Sequence, residues 1–558
     1  MDHFLDFKSA KCRDCYRCLR ECPVKAIRIV DHQAKIIPER CILCGNCIRV
    51  CPQNAKTVHS QEEEVRRLLE SGADVIASVA PSFVSSFRLE SFDQIAEVLM
   101  SFGFLFAEET AVGAAVVTKE YMRLMETGKY KNMVASACPA VNRMIQLYRQ
   151  DLLPYLAQVD SPMVVHAKML KQSFPDAKVV FIGPCIAKMR EAAESGVVDA
   201  VLTFEDLQRM MDAEGLKFPP AKEKEESARG ASARIYPIAR GIVKSFPDDA
   251  PAYRRLAVDG IRKCMNDSHY IDELEHVFVE MSCCEHGCIN GPCSMQKFDS
   301  AVMADNIVRD YAASAAESGV DHEGVEMRHR FPKLKEKGCE PPEKELKAIL
   351  SKTGKLKPED ELNCGACGYA TCREKAWAVY NGYADVEMCI PYMRRKAESV
   401  SQEIMQRMPN GVVVINGQFQ IEEINQVASR LLGIDYYDYK GKNFFDYSDI
   451  VEFVEVLETG ENIFNRRVKV KNTGKYVEIS IINMKDHNRV LGMMKDVTEE
   501  EKYNEKLRAV REQTFEVTDR VVKNQMKIAQ EIASLLGETT AETKVALLKL
   551  KDILQSEQ

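Results

Sequence analysis

The densest chemistry in this 558-residue chain lies in its twenty cysteines, most of them tightly grouped. Two runs, CRDCYRCLRECP (12–23) and CILCGNCIRVCP (41–52), repeat the pattern C-x2-C-x2-C-x3-C-P. A third, EMSCCEHGCINGPC (280–293), sets four cysteines beside two glutamates and a histidine. A fourth, NCGACGYATCREKAWAVYNGYADVEMC (363–389), reads C-x2-C-x4-C-x16-C. Thiols three residues apart can turn toward one centre, and thiolates are soft ligands suited to iron–sulfur clusters or zinc. In a reducing compartment such spacing reads as metal ligation and not as a disulfide framework.

Bulk properties narrow the class. A chain of this length exceeds one core, so several domains are expected. Its 46% hydrophobic and 29% charged residues are ordinary for a soluble globular protein. A formal charge of −8 gives no reason to expect nucleic acid or an anionic membrane as partner. The apolar run VLMSFGFLF (98–106) falls well short of the roughly 20 residues a membrane span requires. The first cysteine group begins at Cys12, which leaves no room for a cleaved signal peptide, and the expected location is cytoplasmic.

The two opening runs have the form of the bacterial two-cluster ferredoxin motif, in which the fourth cysteine of each run ligates the other cluster. Cys12, Cys15, Cys18 and Cys51 are expected to hold one 4Fe–4S centre, and Cys41, Cys44, Cys47 and Cys22 a second. Zinc knuckles would favour two C-x-x-C pairs over eight cysteines so spaced. Two clusters sharing ligands make an electron wire.

The elements behind the wire read as α/β. Over 70–330, strand-like DVIASVAP, KVVFIGPC and HVFVEMSC alternate with helical DQIAEVLMSF and AVNRMIQLYRQ. Cys138 (ASACPAV), Cys185 (GPCIAKMREA), Cys284 and Cys288 fall at or just beyond strand ends. Each alone would pass for a small buried hydrophobe. Together they resemble the FeFe-hydrogenases, whose catalytic domain carries S-C-C-P, P-C-x-A-K-x-x-E and E-x-M-x-C-x-x-G-C-x-x-G. SACP (136–139), PCIAKMRE (184–191) and EMSCCEHGCING (280–291) follow in that order, and APSF (80–83) looks like that family's first active-site loop. The resemblance covers residues 1 to about 300. It implies that Cys138, Cys185, Cys284 and Cys288 hold a 4Fe–4S cubane. Cys288 would also bridge to a two-iron unit carrying carbonyl, cyanide and an azadithiolate, the two parts forming the H-cluster. It implies further that the Lys188 ammonium donates to one cyanide, while the Pro81 backbone and Ser82 hydroxyl contact the other.

The departures from that family cluster around the implied diiron site. Ala137 stands where the family has a second cysteine, the thiol that hands on protons. Counted back without gaps, the family's relay glutamates fall at Val117 and Thr118, read here as unable to carry protons. Gly183 and Ser282 replace two packing methionines, which is expected to leave room for water and retune the cluster. Glu285 and His286 replace a Pro-Gly pair. With Cys283 they are the candidates for a substitute proton relay. The expected result is a site that binds dihydrogen and converts it slowly, as a sensor requires.

The segment around Cys364, Cys367, Cys372 and Cys389 resembles the small Fe–S domain found in several redox proteins, which implies a third kind of 4Fe–4S centre; zinc also satisfies four thiolates. Cys264, Cys283, Cys293 and Cys339 are left over. From 402 the strand–strand–helix and later strands (GVVVIN, FQIEEIN, QVASRLLGI, IFNRRVKVKN, KYVEISIINMK, RVLGMMKDVT) resemble a PAS domain, with Asn425 before its first helix and no cysteine, its one histidine being His487. Leu507, Val510, Val517, Val521, Ile528, Ile532 and Leu535 then recur on one helical face. Gly537 is expected to stop that helix, and Thr539 with Glu542 to cap another.

The expected fold is therefore multidomain, α/β and α+β: a two-cluster 4Fe–4S ferredoxin-like domain (1–62), an FeFe-hydrogenase H-cluster domain (63–330), a small Fe–S domain (345–398), a PAS domain (402–498) and C-terminal signalling helices (499–558). The expected function is that of a sensory FeFe-hydrogenase. It would work on dihydrogen and protons, with a redox partner such as ferredoxin, a separate output protein (kinase or phosphatase) and a second copy of itself through its C-terminal helices. A metabolic hydrogenase, or an iron–sulfur redox sensor or scaffold without the diiron unit, are the alternatives.

Overall fold

The computed structural model describes residues 4–7, 11–222, 227–295, 300–321, 323–335, 338–484, 488–536 and 540–556. His487, Gly537 and Thr539 lie outside the described residues, as do the side chains of Leu535 and Glu542. The chain divides into two compact units, Met1–Met393 and Arg394–Gln558, so all three kinds of cysteine module belong to one unit.

At the start of the first unit, strands Leu5–Phe7 and Lys56–Val58 pair antiparallel and tie the two ends of the cysteine repeat together. Between them lie the hairpin Ile27–Val30/Gln33–Ile36 and two short helices, Arg17–Glu21 and Asn46–Arg49, one per repeat. Leu19, Ile27 and Ile42, buried to 2% exposure or less, fill the space between the repeats.

Two parallel sheets follow. One runs Phe106–Glu109, Val75–Val79, Lys178–Gly183, Ala200–Thr203; the other runs Arg254–Asp259, Val277–Ser282, Asn132–Val134. Val75–Val79 is buried along its whole length, as expected of a parallel strand covered on both faces. In such sheets ligands bind beyond the carboxyl ends of the strands. Here those ends deliver Pro81 and Ser82, Cys138, Cys185, and Cys284. Cys138 passes directly into helix Pro139–Tyr148, with proline preset at the first helical position.

The small module at the end of this unit packs helix Glu343–Lys352 against Cys372–Tyr380, the latter capped by Thr371 and Glu374. Gly368, at φ +90, lies so close to Leu19 that an added Cβ would sit 3.1 Å from its Cγ. Beside it, the Arg40 guanidinium of the cysteine repeat stacks 4.7 Å from the Tyr383 ring, 5.5 Å from Trp377 and 6.0 Å from Tyr148. The Tyr148 hydroxyl donates to the Arg40 carbonyl at 2.7 Å. One cation thus joins all three modules.

The second unit holds a five-stranded antiparallel sheet in the order Ile421–Ile424, Gly411–Asn416, Arg489–Asp496, Tyr476–Met484, Ile463–Lys469. Helices Gln426–Leu432 and Glu452–Thr459 accompany it; the second was not anticipated from the sequence. The buried Asn425 is its hub: Oδ1 accepts from Val412 and Ala428 N–H, and Nδ2 donates to the Met405 and Asn410 carbonyls. Helix Thr498–Leu536 follows, then Thr540–Ser556, joined by a Lys551–Asp519 ion pair at 3.2 Å. On the long helix Leu507, Val510, Val517, Val521, Ile528 and Ile532 are 37–61% exposed, as the apolar stripe anticipates.

Candidate metal centre

The cysteine groups converge as their spacing anticipates. Cys12, Cys15, Cys18 and Cys51 line one small void, and Cys364, Cys367, Cys372 and Cys389 another, each of ≈ 20 Å³. Cys22 interacts with Cys41, Cys44 and Cys47 in the buried second half of the repeat. Cys138, Cys185, Cys284 and Cys288 share a cavity of ≈ 120 Å³. Among the described residues no three His, Cys, Asp or Glu side chains close on a single metal ion; the quartets surround voids instead. A void needs about 10–15 Å³ per water on this measure. The central cavity therefore has room for several atoms beyond whatever the smaller quartets enclose.

Burial sets the protonation of these thiols. It pushes Cys22 and Cys185 up to about 12 and Cys41 up to about 11, with the neighbouring thiols adding to the shift. Such groups give up their protons only when a metal takes their place, so loading couples to proton release. In the small module, Lys355 donates to Cys389 Sγ at 3.4 Å and Lys375 to the Val386 carbonyl at 2.8 Å, both lysines being almost buried. Two buried ammonium groups require a nearby anion, and four thiolates bound to metal would supply one. The buried Tyr369 hydroxyl, which lines the same void, has no hydrogen-bond partner among the described residues.

Around the central cavity the structure assembles most of the expected residues. Pro81, Ser82, Ala137, Lys188 and Ser282 all line it. Ser82 is fully buried, and its Oγ finds no hydrogen-bond partner among the described residues. Leaving a buried hydroxyl unpaired costs roughly 1–3 kcal/mol, so a hydroxyl orphaned against a cavity marks a place for an acceptor. Lys188 is held by Ser161 Oγ at 2.8 Å and Glu191 Oε2 at 2.6 Å. An ammonium has three N–H donors, of which these take two. Glu191 and Ser161 also face a separate polar cleft of ≈ 450 Å³. A four-thiol floor with an orphaned hydroxyl and a lysine at the wall fits an anionic iron–sulfur group with further acceptor ligands.

Three expectations are corrected. Gly183 leaves no void: a Cβ there would meet the Phe181 ring at 2.8 Å, and Phe181 fills the place. It lies two residues back on the same strand, hence on the same face, and Phe181 and Met163 line the cavity instead. Glu285 and His286 are not brought into the cavity. Both are exposed; Glu285 lies against Gly260, and the His286 N–H donates to Asp259 Oδ2 at 2.7 Å with His286 at φ +63. Thr118 is not inert. Its hydroxyl lies 2.7 Å from the Tyr236 phenol and 3.1 Å from Ser245 Oγ, and Tyr236 lines the cavity. Val117 is apolar core, as read. Nothing in the sequence pattern flags Tyr236, which reaches Thr118 across 118 positions.

Comparison with known proteins places these observations. Residues 73–292 match the family model for the iron only hydrogenase large subunit, C-terminal domain. Residues 11–55 match a 4Fe-4S dicluster domain, and 360–391 an Fe-S cluster family. The periplasmic Fe hydrogenase large subunit of Nitratidesulfovibrio vulgaris is 28% identical over 280 residues, covering 44% of this chain and 66% of that protein. The cytosolic Fe-S cluster assembly factor NAR1 of Encephalitozoon cuniculi is 25% identical over 205 residues, covering 32% and 55%. The chain thus spans between about half and two thirds of these relatives. Among solved structures, an apo FeFe-hydrogenase HydA1 from Chlamydomonas reinhardtii aligns with 49% of this chain and 99% of its own at 16% identity, with a TM-score of 0.38. A PAS domain of an HTR-like protein from Haloarcula marismortui aligns with 19% of this chain and 97% of its own at 19% identity, with a TM-score of 0.15. With the four thiols at the strand ends, the family match makes residues 73–292 FeFe-hydrogenase-like, within a protein that also carries 4Fe–4S dicluster and further iron–sulfur modules.

Proposed function

We propose that the protein is a sensory FeFe-hydrogenase of low turnover. It binds dihydrogen in the central cavity and relays its redox state through cysteine-held 4Fe–4S centres. The observation that carries this reading is the pairing of a four-thiol cavity, larger than its sister voids, with the unpartnered Ser82 hydroxyl and the Lys188 ammonium at its wall. Cys138, Cys185, Cys284 and Cys288 would hold an H-cluster, with Ser82 and Lys188 facing its cyanides. When bound, that group supplies the metal at which dihydrogen is split or formed. The chain itself supplies orientation, a mostly apolar wall of Phe181, Met163 and Ile242, and a proton route. The hydroxyls of Tyr236, Thr118 and Ser245 serve as that route, each able to accept one proton and pass on another. Ala137 supports low flux, because a methyl group cannot hand over a proton.

Sensing finds support in the second unit. Its 2-1-5-4-3 antiparallel sheet and flanking helices suit a PAS-type module, and the exposed apolar stripe of the following helix suits a second copy of the chain. A redox-linked change in that unit, read by a separate output protein, requires different interaction energies in the two redox states. No helix among the described residues is long and apolar enough to cross a membrane.

The likeness to NAR1 supports a second reading, an iron–sulfur assembly factor or scaffold without the diiron unit. Infrared spectroscopy of protein produced with the diiron maturation machinery separates the two. Bands of metal-bound carbonyl and cyanide are expected; their absence from fully loaded protein overturns the hydrogenase reading.

A further inference from the structure

Four cysteines lie outside the quartets. Cys339 is exposed beside Asn381, and Cys264 is buried with its thiol directed at the Val258 and Ser282 carbonyls. Cys293 is buried in the loop that follows Cys288. Cys283 stands in a different relation to the metal centres. It is 3% exposed and lines the central cavity together with Cys44 and Cys284. Its thiol interacts with the thiols of both. Cys44 belongs to the second quartet of the repeat, and Cys284 to the central one. A single S–H group therefore lies between ligands of two different clusters.

The loops that carry these cysteines are held together independently of the thiol. Gly45 adopts φ +70, and a Cβ on it would fall 2.4 Å from Pro292 Cβ, so the loop carrying Cys44 is seated directly on the loop carrying Cys288 and Cys293. Arg190 donates to the Cys41 carbonyl at 2.8 Å, and Arg49 to the Asn290 carbonyl at 3.4 Å. Glycine at 45 is what lets the two loops come this close. The gap that Cys283 spans is held by backbone, by an arginine from each side and by a proline, and not by the thiol itself.

We propose that Cys283 is a positioning residue at the electron junction. Its one S–H proton hydrogen-bonds to the Cys44 sulfur or to the Cys284 sulfur, and so couples reduction of one cluster to reduction of the other. Hydrogen bonds to ligand sulfurs raise a cluster's potential by stabilising the electron-rich, reduced form. One donor cannot serve two acceptors equally. When the repeat's cluster takes an electron, the S–H turns to Cys44 and the central cluster loses its donor; when the electron moves on, the S–H follows it. The thiol rotates and keeps its proton, no covalent bond changes, and the only charge that moves is the electron. The inference rests on the iron–sulfur part of the function proposed above and not on the diiron unit.

The test uses full-length protein reconstituted with its 4Fe–4S clusters alone, titrated potentiometrically and followed by electron paramagnetic resonance. Cys283→Ala is expected to lower the midpoint potentials of both the central cluster and its neighbour, and to abolish the dependence of each on the other's redox state. Cys283→Ser keeps a donor of similar size and is expected to retain that dependence, with potentials at or above those of the parent. If Ala leaves both potentials and their interdependence unchanged, or if Ser lowers them as Ala does, the proposal is overturned; the second result would assign the effect to packing. Should the Ala variant load poorly, the Ser variant alone decides, through the same interdependence. The hydrogenase reading fails separately, on the infrared spectrum of maturated parent protein, since no diiron unit enters this titration.

Discussion

The phenol oxygen of Tyr236 lies 2.7 Å from the hydroxyl of Thr118, and Thr118 occupies the position at which a gap-free count from Cys138 breaks the proton relay. Ser245, half-buried and 3.1 Å beyond, extends the chain away from the cavity. Tyr236→Phe and Thr118→Val are each expected to slow proton-dependent turnover of the loaded protein on the order of 10²-fold and to change its solvent isotope effect. The carbonyl and cyanide bands should stay in place. Rates equal to the parent's would take these hydroxyls out of the route.

Ala137 lines the cavity beside Cys138. Restoring a thiol with Ala137→Cys is expected to raise hydrogen evolution by roughly 10². A parent that already evolves hydrogen as fast as the variant would show that no proton donor is missing there.

Ser82 buries a hydroxyl that no other described residue satisfies. Ser82→Ala should therefore leave metal-free protein as stable as the parent, or more stable by about 1 kcal/mol, in thermal unfolding. In maturated protein the same change should shift a cyanide stretching band. A stability loss above ~1 kcal/mol would mean that the hydroxyl has a structural partner.

Glu280 is buried within strand Val277–Ser282, which leads to Cys284, and Val243 N–H donates to its carboxylate at 3.0 Å. Desolvation pushes its carboxyl up from 4.5 to about 7, outweighing the backbone donors that lower it. A raised acid holds its proton more tightly when folded, so its stabilisation is complete below about 4.5 and is lost as pH rises through about 7. The loss is bounded at about 3 kcal/mol, since each pKa unit is worth ~1.4 kcal/mol. Denaturant unfolding of Glu280→Gln and parent, compared from pH 4.5 to 8, should diverge in that direction. Parallel curves would argue against a burial-raised carboxyl.

In the second unit, Asn425 makes four hydrogen bonds to backbone from a fully buried position. Asn425→Ala removes a helix cap and leaves buried N–H and C=O groups unpaired. A loss of roughly 2–4 kcal/mol is expected from these terms, read as faster hydrogen exchange in strand Gly411–Asn416. Unchanged exchange would mean that the hub is not needed.

What the sequence makes legible here is local. The cysteines that share a void follow from thiols three residues apart, and the strand ends that present Cys185 and Cys284 follow from apolar runs meeting a loop. Residues that matter through distant contacts stay hidden. Tyr236 meets Thr118 only because separate segments fold together, and Cys283 shares a cavity with Cys44 only because the loops of two modules meet where Gly45 approaches Pro292. Phe181 could have been anticipated, being two residues from Gly183 on a strand whose side chains alternate. The outward course of Glu285 and His286 could not, because it depends on positive backbone angles at His286 and Gly287.

The Arg40 guanidinium, surrounded by Tyr148, Trp377 and Tyr383, has a mechanical consequence. Pulling either ring-bearing module away would strip a nearly desolvated cation of part of its aromatic surround, so the spacing between the cysteine quartets behaves as a fixed dimension of the molecule. A chain shortened before the Trp377 segment would lose more than a terminal redox group. It would open the keystone of the arch that holds the other two in register, and all three should melt together.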